Sequence, residues 1–229
     1  MEKHINKYYD ASKAHEAVQK GQHRAWVGGM WDEIGKLQLD FLLAQGLPRD
    51  AAFIDVGCGC FRAGVHLVNY LDSAGYYGID ISQELLDTGY EREIIPAGLQ
   101  AKLPRANLVA NGDFDISGFG RKFDVGIAQS VFTHLPLNHI RLCLERLAPH
   151  FAVGGVFYAT TFIVPPGHDW SAPLVHERGG IRTLPTDDPY HYRVEDYAFC
   201  AASAPWKFEF IGDWNHPRNQ QMLKFTRTV

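Results

Sequence analysis

The stretch FIDVGCGCFRAGVHL, residues 53–67, decides how this chain folds. A short apolar run ends near Asp55, Gly57 and Gly59 follow it, and a helical pattern begins near Phe61. Glycine lets the backbone approach a ligand closely, and the first amide groups of a helix favour an anion. The stretch therefore predicts a strand, a tight turn and a helix, with the turn as a candidate nucleotide-binding site.

The same alternation continues along the chain after residue 50. Short runs rich in Val, Ile, Phe and Tyr are separated by segments with helical periodicity. This pattern is typical of a doubly wound α/β fold with a mostly parallel sheet. The predicted strands are 52–56, 76–79, 107–110, 123–128 and 153–162, and the predicted helices are 61–71, 83–94 and 137–149.

Both ends of the chain depart from this rhythm. Residues 2–20 predict a polar helix, and residues 30–44 predict a second helix with a broad apolar face. Residues 163–192 are rich in proline and glycine without periodicity, which predicts a long insertion in a loop conformation. Loops of that length are usually functional or disordered, and the aromatic and histidine residues here favour a function. A helix at 193–202 and strands at 207–211 and 221–226 complete the prediction.

Composition excludes several classes of protein. The 229 residues carry a formal charge of −4, which gives no basic surface for nucleic acid. No apolar run approaches the roughly 20 residues of a membrane helix, and the polar N-terminus lacks the apolar core of a signal peptide. Four cysteines are too few and too irregularly spaced for a disulfide framework. We therefore expect a reduced, cytoplasmic protein with no nucleic-acid or membrane partner.

A dinucleotide site is the first alternative for the glycine turn. Its fingerprint is Gly-x-Gly-x-x-Gly, which asks for a third glycine where this chain has Arg62. Asp80 ends the second strand, where a carboxylate can accept both ribose hydroxyls of a nucleoside. Asp80 therefore supports a nucleoside ligand without choosing between a dinucleotide and another adenosine cofactor.

An acidic residue followed by Gly-x-Gly after the first strand resembles the fingerprint of class I, Rossmann-like S-adenosylmethionine-dependent methyltransferases. In NGDFDIS, 111–117, Asp113 and Phe114 match the family's adenine-binding pair, with Asp115 as a rival carboxylate. The segments FDVGIAQSVFTHLP and GGVFYATTF resemble the family's fourth and fifth strands, and FEFIGDWNHPRNQQMLKFTR resembles its antiparallel last strands. The departure is Phe61, which stands where the family has a third glycine, and Gly64 is the candidate replacement.

The resemblance implies a seven-stranded, mostly parallel sheet with an antiparallel last strand, in a single methyltransferase domain. We expect four parts: an N-terminal helical cap at 1–47, a cofactor-binding core at 50–162, a substrate-side loop at 163–192, and a C-terminal helix and strand pair at 193–229. The implied cofactor is S-adenosylmethionine, and the implied acceptor is a small molecule.

The resemblance also implies which residues form the site. His134, just past the fourth strand, is the candidate general base. A histidine bonded to the backbone in the core is the alternative for it. The expected cofactor-binding residues are Asp55, Gly57, Gly59, Arg62, Asp80, Ile81, Asp113, Phe114, Gln129 and Ser130. The expected substrate-binding residues are Trp31, His134, Trp170, His176 and Tyr192.

Simpler interpretations compete with these assignments. Arg62 either meets the carboxylate of the cofactor's methionine end or forms an internal ion pair or a surface contact. Cys58 and Cys60 have neither zinc-finger partners nor the Cys-x-x-Cys spacing of a redox pair, so packing is preferred for Cys58. The ends of strands four and five carry AQ and TT instead of acidic residues, so we expect no metal.

Two other functions stay open at this stage. One is a protein that binds S-adenosylmethionine without transferring its methyl group, because the cofactor motifs are clearer than any catalytic base. The other is an NAD-dependent oxidoreductase, which Arg62 and the two C-terminal strands disfavour. The leading interpretation is metal-independent methyl transfer to a small molecule through an oxygen, nitrogen or carbon acceptor atom.

Overall fold

A computed structural model describes residues 6–229 of the chain. Its N-terminal helices are α1 (Ala11–Gln19), α2 (His23–Trp26) and α3 (Trp31–Ala44). Residues 2–5 of the predicted first helix lie outside the described part. The rest of that helix is shorter than predicted because Asp10 caps it, accepting a hydrogen bond from the amide of Ser12 at 3.2 Å.

The remaining elements alternate as the sequence predicts. They are β1 (Phe53–Val56), α4 (Gly64–Tyr70), β2 (Tyr76–Asp80), α5 (Gln83–Gly89), β3 (Leu108–Ala110), β4 (Phe123–Ala128), α6 (Leu137–Leu147), β5 (Phe151–Thr161), β6 (Leu174–Val175), β7 (Arg182–Thr183), α7 (Val194–Ala201), β8 (Trp206–Asp213) and β9 (Gln221–Arg227). No helix among residues 6–229 is long and apolar enough to cross a bilayer.

Seven strands form one sheet in the order β3-β2-β1-β4-β5-β9-β8, and β6 and β7 form a separate two-stranded sheet. β1 pairs with β2 and β2 pairs with β3 in parallel, whereas β9 runs antiparallel to both β5 and β8. The predicted fold class, including the antiparallel last strand, is confirmed.

The chain divides into two compact units. The first unit comprises the described residues up to Gly112 together with Gly118–Val125, and the second comprises Asp113–Ser117 and Gly126–Val229. In the first unit every residue of β1 is buried. The ring of Phe53 stacks on that of Tyr76 with centroids 6.0 Å apart. In the second unit the aromatic core contains Phe132, Phe157, Tyr197 and Phe225.

Three further predictions differ from the structure in detail. The helix expected at 61–71 begins at Gly64, because Phe61 has a φ of +69° and a left-handed residue cannot continue a right-handed helix. The helix expected at 83–94 is α-helical only to Gly89 and continues as a π-helical turn over Tyr90–Ile94. The insertion at 163–192 carries the β6–β7 ladder, whose strands of two residues are too short to show a period.

Candidate functional site

The glycine turn after β1 directs its amide groups toward β2. The amides of Gly57 and Cys58 both donate to the carbonyl oxygen of Ile79, at 2.8 and 3.0 Å. The amide of Gly59 donates to Oδ2 of Asp80 at 2.8 Å. Gly57 and Gly59 have φ values of +75° and +55°, in the region that favours glycine. Three consecutive donors of the turn are therefore satisfied inside the protein.

The hydrogen bonds of these amides indicate whether the turn suits an anionic or a cationic ligand. A dinucleotide site needs backbone N–H groups for its pyrophosphate. Here those of residues 57–59 hold the second strand instead. The carbonyl oxygen of Cys58 accepts the amide hydrogen of Phe61 at 3.0 Å, and the carboxylates of Asp55 and Asp80 adjoin the turn. Two carboxylates beside the turn suit a cationic ligand better than a polyphosphate.

Asp80 sits at the end of β2 with both carboxylate oxygens engaged. Oδ1 accepts the amide hydrogen of Ser82 at 2.9 Å, and Oδ2 accepts that of Gly59. The residue is only 8% exposed, and burial raises the pKa of its carboxyl while the backbone amides of Ser82, Gly59 and Ile81 act against that rise. A carboxylate has about four acceptor positions, so Asp80 keeps acceptor capacity for a ribose hydroxyl.

Asp55 is buried beneath the turn and paired with a residue that the sequence did not single out. The hydroxyl of Tyr76 donates to Oδ2 of Asp55 at 2.8 Å. Burial raises the pKa of Asp55 to about 7, and the Tyr76 hydrogen bond opposes the rise. The carboxyl of Asp55 therefore changes charge near neutral pH.

Phe61 has a left-handed backbone, a conformation that favours glycine. Its φ is +69°, and its side chain is fully buried against Tyr76, with ring centroids 6.5 Å apart. A Cβ added to Gly64 would lie 2.7 Å from Cβ of Phe61 and 3.0 Å from the hydroxyl of Tyr76. Gly64 therefore leaves the space that the phenylalanine side chain occupies.

Arg62 is held by the segment before α3. Its Nη1 donates to the carbonyl oxygens of Val27 and Gly29, at 3.0 and 2.9 Å, and the residue is 8% exposed. This burial contradicts the surface alternative for Arg62, and the two acceptors are backbone oxygens of the N-terminal part of the chain. The predicted contact of Arg62 with the cofactor stays a prediction.

The cysteines are free and buried. A Cβ on Gly78 of β2 would come within 2.8 Å of Sγ of Cys58, so the thiol fills the space that this glycine leaves. Burial raises the pKa of Cys60 to about 12, so its thiol stays protonated. Within residues 6–229, no group of three or more His, Cys, Asp or Glu side chains is arranged to hold a metal ion.

The other predicted site residues of the first unit are Ile81 and Trp31. Ile81 follows β2 directly, and its side chain would contact a Cβ placed on Gly112, at 3.2 Å. Trp31 begins α3, and the guanidinium of Arg24 lies 4.6 Å from the centre of its ring. Their assignments as cofactor and substrate contacts stay predictions.

In the second unit, Asp113 and Phe114 differ in exposure. Asp113 is exposed, and its Oδ2 accepts from Arg146 at 3.1 Å. Phe114 has a φ of +64° and is 6% exposed. The rival Asp115 accepts the amide of Ser117 at 2.9 Å, and that bond together with the Ser117 hydroxyl lowers its pKa.

Gln129 and Ser130 belong to a polar network after β4. Ser130 has a φ of +59°, and its amide donates to Oγ1 of Thr160 at 2.7 Å. Its hydroxyl lies 2.9 Å from Oε1 of Gln220, which also accepts from Thr160 at 2.6 Å. The amide nitrogen of Gln129 lies 2.7 Å from Oγ of Ser130 and 3.2 Å from Nε2 of His216. Thr160, His216 and Gln220 are buried partners that the sequence analysis missed.

His134 is paired with a carboxylate. Its Nδ1 hydrogen bonds to Oδ1 of Asp188, and the two side chains are 19% and 14% exposed. This pairing differs from the core alternative, a histidine bonded to the backbone. Asp188 lies 54 residues further along the chain, so no local pattern could reveal it.

His176 lies in a buried chain of hydrogen bonds. Its Nε2 is 3.0 Å from Oγ1 of Thr183, which is 2.7 Å from Nδ1 of His191. Nε2 of His191 is 3.1 Å from the carbonyl oxygen of Trp170. Burial lowers the pKa of His176 to about 4, so its bond to Thr183 involves a neutral ring at physiological pH.

The last two predicted substrate residues differ in exposure. Trp170 is 56% exposed, with the guanidinium of Arg193 at 5.7 Å from its ring. Tyr192 donates its hydroxyl hydrogen to the carbonyl of Leu135 at 3.2 Å and stacks on Tyr190, with centroids 5.8 Å apart. Contacts between these residues and an acceptor stay predictions.

Comparison with known proteins agrees with this geometry. Residues 54–157 match the model of a family described as a methyltransferase domain. A methyltransferase from Clostridium acetobutylicum that depends on S-adenosylmethionine is 12% identical, with 95% of this chain and 100% of that chain covered and a TM-score of 0.64. The magnesium protoporphyrin IX methyltransferase of Synechocystis, solved with S-adenosylhomocysteine, is 15% identical, with 94% and 97% covered and a TM-score of 0.63. CalS10, an amino pentose methyltransferase from Micromonospora echinaspora, is 17% identical, with 94% and 97% covered and a TM-score of 0.62.

The structural similarities, at these identities, establish the fold, and the family model matches the sequence that carries the glycine turn. That turn lacks the third glycine of a dinucleotide site. Residues 54–157 therefore match a methyltransferase domain, within a chain that shares the fold of the solved methyltransferases.

Proposed function

We propose that this methyltransferase acts on a small-molecule acceptor without a metal ion, and that Asp55, the glycine turn and Asp80 hold its cofactor. The observation that carries the proposal is the direction of the amides at residues 57–59, all of which bond within the first unit. The carboxylates of Asp55 and Asp80 adjoin these amides. S-adenosylmethionine presents an ammonium, a sulfonium, two ribose hydroxyls and one carboxylate, and all of these groups except the carboxylate are attracted to acceptors such as Asp55 and Asp80.

The residues present fit this cofactor in charge and in hydrogen bonding. Asp80 would accept the ribose hydroxyls, since its two oxygens are held in place by amides on either side. Asp55 lies under the turn and is poised to ionise when a cation is bound nearby. The assignments of Ile81, Asp113, Phe114, Gln129 and Ser130 to the cofactor rest on the family resemblance alone.

When bound, S-adenosylmethionine supplies an electrophilic methyl group. The chain's own contribution is to orient the acceptor for in-line attack and to exclude water, because the charge of the sulfonium disappears as the methyl group moves. Neither task needs a metal ion. The absence of acidic residues in AQ and TT, at the ends of β4 and β5, supports metal-independent transfer.

The net charge and the cysteines support a small acceptor and a cytoplasmic location. A formal charge of −4 favours a small acceptor over nucleic acid. All four cysteines are free and buried, which is consistent with a reducing compartment and supports the cytoplasm as its location.

Calorimetry with S-adenosylhomocysteine and with NADH tests the cofactor assignment. We expect binding of the first and none of the second, and the reverse would restore the oxidoreductase alternative. Formation of S-adenosylhomocysteine over a panel of small acceptors, with and without EDTA, then tests transfer. Binding with no turnover of any acceptor would favour a protein that only binds the cofactor, and inhibition by EDTA that a divalent metal reverses would contradict metal independence.

A further inference from the structure

The strand β8 forms one edge of the seven-stranded sheet. Among residues 6–229 it has a strand partner, β9, on one side only. The opposite edge is β3, which has three residues, whereas β8 has eight. An edge strand presents amide and carbonyl groups that can pair with a strand of another chain. The length of β8 makes it the edge suited to such pairing.

The register of β8 on β9 shows which of its backbone groups face the open side. The carbonyl oxygen of Pro205 accepts the amide hydrogen of Thr228 at 3.0 Å. In an antiparallel ladder, hydrogen-bonded and non-hydrogen-bonded positions alternate, so Trp206 is a non-hydrogen-bonded position toward β9. Phe208 and Phe210 follow at the same period of two residues. Their amide and carbonyl groups therefore face away from β9.

The side chains of β8 alternate in a self-complementary order. Trp206, Phe208 and Phe210 share one face of the strand. Lys207 and Glu209 share the other face, with Nζ and Oε2 3.6 Å apart. From either end the order is aromatic, charged, aromatic, charged, aromatic, and reversal only exchanges the two charges. Residues 206–210 thus carry no net charge that would repel a second copy of themselves.

The outer end of this strand exposes apolar surface. Phe210 is 43% exposed and Ile211 is 37% exposed. A β-bulge is one device that protects an edge strand from pairing. The irregularity in β8 lies between Phe210 and Gly212, after the aromatic and charged residues. It leaves residues 206–210 regular and limits pairing to them.

We propose that β8 pairs antiparallel with β8 of a second copy of this chain, about a two-fold axis at Phe208. In this register Phe208 lies opposite its own copy, and Lys207 of each copy lies opposite Glu209 of the other. Phe210 of each copy lies opposite Trp206 of the other. Aromatic cross-strand pairs on one face and pairs of opposite charge on the other both stabilise a sheet.

Charge selects this register from the two-fold registers beside it. An axis at Lys207 places that lysine opposite its own copy, and an axis at Glu209 does the same for the glutamate. Like charges directly opposite each other destabilise a sheet. An axis at Phe210 brings the bulge into the ladder. The axis at Phe208 avoids both costs.

Sedimentation velocity of the full chain over a range of concentrations tests the proposal. We expect the natural chain to form a dimer as its concentration rises. K207E makes both charged positions of residues 206–210 negative, and E209K makes both positive, so each variant alone should weaken dimerisation at least tenfold. An equimolar mixture of the two variants should form a heterodimer, because each positive strand then meets a negative one. A natural chain that stays monomeric up to about 100 μM would overturn the proposal.

A matched control addresses exposed aromatic surface elsewhere in the second unit. Phe199 of α7 is 69% exposed, whereas Tyr197 and Cys200 of that helix are buried. F199S should leave dimerisation unchanged, and an equal loss in F199S would assign the contact to α7 and overturn the proposal. Melting temperatures show whether each variant is folded.

Cysteine cross-linking gives a second measurement that does not depend on the charge variants. The four natural cysteines are buried. F208C should form a disulfide-linked dimer under mild oxidation, because the axis brings the two copies of position 208 together, whereas F199C should not. A dimer that neither charge variant weakens, or that folded F208C does not cross-link, would place the contact elsewhere and overturn the proposal.

Discussion

The carboxylate of Asp80 accepts the amide hydrogen of Gly59 at 2.8 Å, which joins the end of β2 to the turn that follows β1. The same side chain is the proposed ribose partner, so one carboxylate both shapes the turn and contacts its ligand. Removing Asp80 should therefore affect stability and binding together.

We expect Asp80→Ala to weaken binding of S-adenosylhomocysteine by about 1–3 kcal/mol, because the ribose hydroxyls lose a charged acceptor. Calorimetry measures the loss, and chemical denaturation measures the accompanying drop in stability. Asp50→Ala removes an exposed carboxylate from the same unit and serves as the control, with no change expected. Unchanged affinity in Asp80→Ala would mean that the ribose partner lies elsewhere.

The buried Asp55 makes stability depend on pH. Its pKa is about 7 in the folded chain against 3.8 for the ordinary carboxyl, so the folded state binds a proton more tightly than the unfolded state. Its contribution should decrease as pH rises from about 4 to about 7, by roughly 4 kcal/mol at most. Urea denaturation at several pH values, compared between the natural chain and Asp55→Asn, isolates this group because other titrations cancel. Parallel pH curves for the two proteins would contradict the prediction.

Because Gly64 packs against Phe61, we expect alanine at position 64 to lower stability, although alanine usually stabilises a helix. Gly64→Ala should gain up to about 1 kcal/mol in helix propensity, yet its Cβ would lie 2.7 Å from Cβ of Phe61. We expect a net loss of about 1–3 kcal/mol in the free energy of unfolding, since neither Cβ of Phe61 nor the buried ring of Tyr76 is the end of a flexible side chain. Gly118→Ala is the matched control, because nothing lies within 4 Å of its added Cβ. A Gly64→Ala protein as stable as the control would show that the turn can shift.

Because Thr183 links two buried histidines by hydrogen bonds, we expect a large loss of stability when it is replaced by valine. Thr183→Val keeps the shape of the side chain but removes the hydroxyl that lies between His176 and His191. Two buried ring nitrogens then lose a partner, so we expect a loss of about 2–5 kcal/mol in the free energy of unfolding. Thr186→Val, at an exposed threonine of the same segment, should cost less than about 0.5 kcal/mol. Equal stabilities of the two variants would indicate that water replaces the hydroxyl.

Local patterns in the sequence predicted most of the fold. The alternation of apolar runs and helical segments is encoded over a few residues at a time, so the succession of β1 to β5 along the chain followed from it. The antiparallel end of the sheet followed from the family resemblance. The start of α4 did not, because it depends on the left-handed backbone at Phe61, which a sequence pattern does not favour for phenylalanine. The β6–β7 ladder was not predicted, because its strands have only two residues each.

The candidate site was predictable only where the residues are neighbours in sequence or end a strand. Asp55, Gly57, Gly59 and Asp80 meet this condition, and a hydrogen bond joins Gly59 to Asp80. Tyr76 and Asp188 do not, since each is a partner brought in from a distant position. The direction of the turn's amides could not be predicted from the sequence either, because it depends on the pairing of β1 with β2.

The bonds from Arg62 to the carbonyl oxygens of Val27 and Gly29 bear on how this protein can be shortened. A truncated version that starts near Arg49 would retain every motif that the sequence analysis identifies, yet it would remove two hydrogen-bond acceptors of a guanidinium whose residue is 8% exposed. The loss of hydrogen bonds to a buried cation is unfavourable. Protein engineers who wish to isolate the cofactor-binding region should therefore keep the chain from at least α2 onward, since the early residues serve as part of its interior.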